Sequence, residues 1–482
     1  MPVADLIVLF PILITGIAIL ILVLAVAWGH AHRSLVILTA VLLFLALGSI
    51  PSLIPLIPRQ VTPLLIIDGY GLFMMVVILG TSLAVSVQSY DYWKGSIIRN
   101  GEFYVLVLSA TLGAEILVTA SHFASFFLGF ELLSISLYGL VAYARMDHRA
   151  LEAGIKYLIL SAAASTFLLF GMALLFFDRG TLAFSDLPSI FLARKSSGGM
   201  MPAGLVMILI GIVFKLGLVP FHMWVPDVYQ GAPVPATSFI ATVSKGAVIG
   251  VFLRLFLQVD AFHDPALMTV LSGVAIGSML WGNWSALLQE NIKRLLAYSS
   301  IAHMGYLLVA LIASGALAVE AVSYYLIAYI PSTLGAFGVV QALSRPGKDA
   351  DSLEQYRGLL WKNPGMAMMF TIMMLSLAGI PLTAGFLAKF YVVTAGLTAQ
   401  LWLLVFFFII NSVLGLFYYL RVIRLVISEP TAETADSYDP PVKLPWSTGL
   451  TLSGLTMLVV GLGIYPDPVM HTLQYVGRQL TG

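Results

Sequence analysis

Four ionisable side chains lie deep inside apolar stretches of this 482-residue sequence: Glu131, Lys215, Lys245 and Lys389. An ionisable group at mid-bilayer costs about 2.5–3.5 kcal/mol even on lenient insertion scales, so such residues persist where they carry protons or ions. Lys215 lies in the run 203–222, five residues before Pro220, and Glu131 is ten or so residues from either end of its run. At about 1.5 Å per residue, Glu131 is roughly 15 Å deep in a hydrocarbon core ~30 Å thick. Lys245 is equally central, and Lys389 follows Pro381 by two turns. All four approach one level and must face the interior of a helix bundle, because a lipid-facing placement is untenable.

Burial and pairing act in opposite directions on whether such a group keeps its charge. A Glu131–Lys215 pair that closes and opens would therefore hold and release a proton. The alternative is a purely structural ion pair, which leaves Lys245 and Lys389 without partners. His303, near the centre of its segment, could pass a proton between Lys245 and Lys389 through its two ring nitrogens. His222 sits beside a helix break; for both histidines the alternative is a satisfied hydrogen-bond former. Glu115 is also intramembrane, five residues from its helix end, and its role stays open. Tyr138, Ser244, Ser299 and Thr383 could order water or join helices.

These residues require spanning helices to hold them. The chain is 60% hydrophobic and 10% charged, with a mean hydropathy of +0.99; a soluble domain carries about 25% charged residues. It reads as an all-α polytopic membrane protein. Segments of about 20 apolar residues recur roughly fourteen times, at 6–28, 34–56, 71–90, 103–120, 122–143, 152–177, 203–222, 235–257, 266–288, 295–314, 319–342, 364–398, 401–427 and 447–465. Continuous rather than alternating apolar runs exclude barrel strands. The first run lacks a basic leader and is too long for a signal core, so it reads as a spanning helix. A net charge of +1 excludes a nucleic-acid footprint, and the absence of cysteine excludes disulfides and thiolate metal sites.

Two segments are interrupted. Leu-Gly-Leu-Val-Pro-Phe-His (216–222) precedes Pro226, Pro233 and Pro235 in the seventh, and Leu-Ala-Gly-Ile-Pro-Leu-Thr (377–383) precedes Gly385 in the twelfth. A shift of 161 residues lays Pro220 on Pro381 and His222 on Thr383. Five helices separate the two, so the second copy would be inverted, as in transporters whose sites lie at the midplane. Proline kinks without function are the alternative. Fifteen basic residues, Lys293 and Arg294 among them, fall in loops after odd-numbered helices; six, including Arg254, fall on the other side. The positive-inside rule then puts the odd loops in the cytoplasm and both termini outside. Polar stretches at 178–202, 343–363 and 428–446 are solvated connections or docking surfaces.

Phe-Lys-Leu-Gly-Leu-Val-Pro-Phe-His-Met-Trp-Val-Pro-Asp-Val-Tyr-Gln-Gly-Ala-Pro (214–233) and Ala-Thr-Val-Ser-Lys (241–245) resemble the signature of the antiporter-like subunits of respiratory complex I. Phe-Glu-Leu-Leu-Ser (130–134), the stretch 291–306 and Gly-Phe-Leu-Ala-Lys-Phe-Tyr (385–391) extend the resemblance over nearly the whole chain. Within the family the chain is most similar to the subunit N branch: Lys389 stands where subunit M tends to carry glutamate, and the lateral helix expected of subunit L is absent. The resemblance implies two inverted five-helix repeats, helices 4–8 and 9–13. The division is then a three-helix segment at 1–100, repeats at 101–260 and 261–427, and a cytoplasmic loop with a C-terminal helix at 428–482. It implies that Glu131 and Lys215 form a modulating ion pair, that Lys245 is the central relay, and that Lys389 is the outward donor. It implies a multi-pass protein of a bacterial inner membrane that moves protons while NADH, FMN, iron–sulfur clusters and quinone stay in partner subunits. The neighbours implied are subunits M and K and the lateral helix of subunit L. A subunit of a multisubunit Na+/H+ antiporter has the same fold and is the alternative.

Overall fold

The computed structural model describes residues 3–96, 100–186, 200–258, 264–344, 348–430 and 444–481. Among these, twelve helices are long and apolar enough to cross a membrane. In chain order the helices are α1 (Phe10–Ala27), α2 (His32–Ser49), α3 (Gly69–Trp93), α4 (Gly101–Val118), α5 (Phe123–Val141) and α6 (His148–Arg179). Then come α7 (Met200–Leu216), α8 (Trp224–Gly231), α9 (Val234–Gln258), α10 (Pro265–Leu287), α11 (Ile292–Ile312) and α12 (Gly315–Leu343). The last are α13 (Pro364–Ala378), α14 (Ala384–Thr398), α15 (Trp402–Ile427), α16 (Trp446–Ile464) and α17 (Asp467–Thr481). The count of about fourteen spans took the interrupted stretches 203–222 and 364–398 as spans; here they form the shorter helices α7, α13 and α14.

Polar residues at the starts of the helices satisfy backbone N–H groups that have no partner within the helix. The side chains of Asp68, Asp147, Asp264, Asn291 and Asn363 each accept such a bond. Burial then sorts the helices into an inner and an outer set. The apolar windows of α9 and α11 are 94% buried and that of α12 is 83% buried, whereas α2, α10 and α16 reach only 28%. Helices apolar all round fit both roles, core and lipid-facing rim, but the ionisable groups separate them: Lys245 and His303 belong to the inner helices. Small residues allow close approach. A Cβ on Gly282 of α10 would lie 2.7 Å from the Ala302 nitrogen of α11, and one on Gly129 of α5 would lie 2.8 Å from the Leu117 nitrogen of α4.

Three features depart from the sequence reading. Residues Arg59–Thr62 and Leu65–Ile67 pair as a small antiparallel hairpin that the sequence reading lacked, within what is otherwise an all-α polytopic membrane fold. Prolines 51, 55, 58 and 63 crowd this region and deny it the N–H groups of a continuing helix. An amphipathic helix, α17, follows the last span, with Leu473 and Val476 buried and Tyr475 exposed. The 343–363 stretch, where described, is bound to the start of α11 rather than free: Ile292 N–H donates to the Asp351 carbonyl and Leu353 N–H to that of Glu290. The central parts of the other two polar stretches, 187–199 and 431–443, lie outside the described residues.

Candidate functional site

Both interruptions are real breaks. Helix α7 ends at Leu216, and Gly217 takes a left-handed φ of +71°. Helix α13 ends at Ala378, Gly379 takes +84°, and α14 begins at Ala384. Glycine adopts these angles without the steric penalty a Cβ would bring. Each break has a lysine beside it: Lys215 in the last turn of α7, and Lys389 in the second turn of α14.

Lys215 is buried, and its Nζ donates to Ser134 Oγ at 2.6 Å and to Tyr157 Oη at 3.0 Å. The ammonium also lies over the rings of Phe130 and Tyr157, at 5.2 and 5.3 Å from their centres. Glu131, midway along α5, accepts a short hydrogen bond from Ser165 of α6. The expected Glu131–Lys215 ion pair is therefore not closed. Ser134, one turn beyond Glu131 on the same helix face, takes the ammonium instead.

Lys245 follows a π-helical turn, Ile240–Ser244, within α9. Such turns inside α-helices are frequent at functional sites. Its Nζ donates to Ser300 Oγ at 2.6 Å, and Ser300 shares a 2.7 Å hydrogen bond with Tyr329 Oη. A Cβ built on Gly217 would lie 3.8 Å from Lys245 Nζ, so the break beside Lys215 also abuts the second lysine.

His303 is buried next along α11, its ring 5.2 Å from that of Tyr329. Nδ1 is 2.6 Å from Tyr325 Oη and Nε2 is 3.0 Å from Tyr419 Oη, which in turn bonds Ser299. A cavity of about 10 Å³, on the scale of one water molecule, is lined by His303, Tyr325, Tyr329, Ser332, Ser376 and Lys389 among others. On its far side Lys389 Nζ donates to the Ala378 carbonyl at 2.7 Å and to Ser412 Oγ at 3.0 Å. Ala378 is the last residue of α13, where the helix dipole presents its negative end to a cation.

The structure thus forms a line of neighbours: Lys215 beside the Gly217 break that abuts Lys245, then Lys245, His303 and Lys389 connected through Ser300, Tyr329 and a shared cavity, with Glu131 one turn from the Ser134 that holds Lys215. His222 stands outside that line: among the described residues neither ring nitrogen has a hydrogen-bond partner, and the ring packs edge-on against Trp281. Glu115 is wholly buried, and both carboxyl oxygens lack a partner among the described residues. Thr383 bonds the Ile380 carbonyl, and Tyr138 bonds Ser161. Two basic residues read as topology signals are buried pairs. Arg254 is fully buried and holds both oxygens of Asp68, at 2.6 and 2.7 Å, while Lys293 binds Asp349 at 2.7 Å. The sequence reading missed Ser134, Tyr157, Ser300, Tyr325, Tyr329 and Tyr419. Helical spacing offers a signal for two of them: Ser134 follows Glu131 by three residues and Ser300 precedes His303 by three. Among the described residues no cluster of three or more His, Asp or Glu side chains could hold a metal ion.

Residues 120–415 match the family model described as NADH:quinone oxidoreductase/Mrp antiporter, transmembrane. The chain belongs to this family. The matched span includes Glu131, Lys215, Lys245, Lys389 and both breaks. In respiratory complex I from Thermus thermophilus with bound aureothin, a chain is 30% identical to this family member, with 96% of this chain and 99% of that one covered and a TM-score of 0.81. Two further chains share the fold at lower identity. A chain of the Mrp complex from Dietzia sp. DQ12-45-1b is 20% identical (TM-score 0.88, 100% and 98% covered). A chain of the membrane-bound sulfane sulfur reductase, an archaeal respiratory membrane complex, is 23% identical (TM-score 0.87, 99% and 98% covered).

Proposed function

We propose that this chain carries protons across a membrane along the buried row Glu131–Lys215–Lys245–His303–Lys389, as one subunit of a larger complex. The observation that carries the reading is the succession from Lys245 through Ser300 to Tyr329, hydrogen-bonded in turn, then to His303, whose ring packs 5.2 Å from that of Tyr329, and on to the cavity that Tyr329, His303 and Lys389 share. Each member can donate and most can accept, and water bridges gaps too long for direct hydrogen bonds. Lys215, bound to Ser134 and Tyr157 and separated from Glu131, corresponds to an opened pair. Closing it onto Glu131 would change the field felt by Lys245 across the Gly217 break. The two breaks, one within 101–260 and one within 261–427, support the reading as inverted five-helix repeats. His222 has no place in this relay.

The finer reading is a membrane-arm subunit of complex I, of the subunit N type, with subunits M and K and the lateral helix of subunit L as neighbours and coupled to quinone reduction elsewhere in the complex. Identity of 30% across 96% of the chain supports it. The family description and the fold shared with an Mrp complex chain support the antiporter reading, in which sodium is exchanged for protons. One experiment tests the conclusion and divides these readings: proton movement in vesicles carrying the assembled complex, driven by NADH or by a sodium gradient. Lys245→Ala should abolish it with assembly intact, and undiminished transport in that variant would overturn the proposal. NADH-driven movement identifies the first reading, and sodium-driven movement without NADH identifies the second.

A further inference from the structure

Lys293, in the first turn of α11, is buried, and its Nζ donates to Asp349 Oδ2 and to the Ala232 carbonyl, both at 2.7 Å. Asp349 also accepts from Tyr92 Oη at 2.9 Å. The pair has a wet end and a dry end: 15% of the Asp349 side chain is exposed, against 1% of Lys293. Inward of the pair, Ala232 closes α8, and Thr237 of α9 donates to the carbonyls of Ala232 and Tyr229. Tyr229 is wholly buried with its ring centre 5.6 Å from Lys245 Nζ, and its hydroxyl lies near that of Ser300, though no hydrogen bond of good geometry satisfies it among the described residues. A buried hydroxyl is ordinarily satisfied; an uncommitted one beside an ammonium can accept on one side and donate on the other. Ser300, which holds Lys245, follows Lys293 by seven residues, close to two turns on one face and about 10 Å along the axis.

We propose that Asp349 and Tyr229 form the entrance through which protons reach Lys245 from the face bearing the 343–363 loop, with Lys293 as the cation that positions Asp349. The inference rests on the translocation reading above and extends it to the loading side. The Asp349 carboxylate takes a proton from the aqueous face and becomes the acid. It gives that proton inward and returns to the carboxylate. Tyr229 accepts a proton on its oxygen as its own hydroxyl proton passes to Lys245, which at this stage is the free amine and becomes the ammonium. No electrons move, and Lys293 stays an ammonium throughout.

The test uses the assembled complex in vesicles, with proton transport and the amount of assembled chain read together. Tyr229→Phe, which removes only the hydroxyl, should lower transport at least tenfold without loss of assembly. The double variant Asp349→Asn with Lys293→Met removes the pair without stranding a buried charge, so a merely structural role would be relieved; transport should still fall tenfold. Asp349→Glu keeps a carboxylate and should retain at least half the rate. Full transport in Tyr229→Phe or in the double variant overturns the entrance. Lys245→Ala measured alongside separates the two failures: if it too transports fully, the relay reading itself is lost, and if it is inactive, only the entrance is.

Discussion

Charge burial takes two forms in this fold. Arg254 is fully enclosed, yet every contact it makes is saturating: two bonds to Asp68, one to the Val118 carbonyl and the face of Tyr70. Among the described residues Lys215, Lys245 and Lys389 have no carboxylate within bonding distance; their partners are hydroxyls and one carbonyl. A saturated pair is suited to stability, and a cation held by neutral groups is suited to exchanging its proton. Removing one partner of a buried pair costs about 3–5 kcal/mol because the other charge is stranded, whereas removing both is often close to neutral. Arg254→Met should therefore destabilise the chain by about 3–5 kcal/mol in denaturant unfolding, and adding Asp68→Asn should recover most of it. Lys389→Met should leave unfolding within about 1 kcal/mol of the parent while stopping proton transport. The sequence placed the lysines correctly because a charge inside an apolar run is visible as such. It misplaced Arg254 and Lys293 because partners 186 and 56 residues away leave no local trace, and a charge near a helix end looks the same whether it meets water or a buried carboxylate.

At the scale of the element, the two breaks were legible because proline and glycine mark them, and the π-helical turn before Lys245 was not. Ile240–Ser244 contains neither glycine nor proline, so nothing in its composition announces the widened turn. The breaks do more than interrupt a helix. A Cβ on Gly379 would lie 2.6 Å from Lys389 Cδ and 3.2 Å from its Nζ, so this glycine makes the space in which the lysine bends back to the carbonyl end of α13. Gly180, which ends α6, has a similar left-handed φ of +70° but open space around it. Forcing alanine into that conformation costs about 1–2 kcal/mol at either position. Gly180→Ala should therefore lose about that much stability and keep its transport rate. Gly379→Ala should lose transport as well, by tenfold or more, because Lys389 is displaced. Unfolding and vesicle transport measured on both variants check this, and equal transport in the two would mean that the break does not seat the lysine.

The whole molecule places its most enclosed helices, α9, α11 and α12, around Lys245 and His303, with less buried helices outside. That nesting was hidden in the sequence, where inner and outer helices are alike in hydropathy and differ only in what their neighbours are. The orientation in the membrane rests on a different global quantity, the asymmetry of basic loops, and the structure allows that count to be pruned. Arg254 and Lys293 are buried in pairs and are not loop charges; without them the bias stands at fourteen against five. Insertion responds to lysine and arginine near helix ends, and a bias of that size survives the loss of one residue from each side. Lys348, exposed beside the entrance pair, should therefore lie on the cytoplasmic face, and Tyr475, exposed on α17, on the opposite face. The chain has no cysteine, so label on this subunit reports an introduced thiol alone. In sealed vesicles of known orientation, a membrane-impermeant maleimide should reach Lys348→Cys only from the cytoplasmic side and Tyr475→Cys only from the other. Labelling of both from one side would overturn the odd number of crossings between them, and labelling of Lys348→Cys from the far side would move the loading of Asp349 to that face.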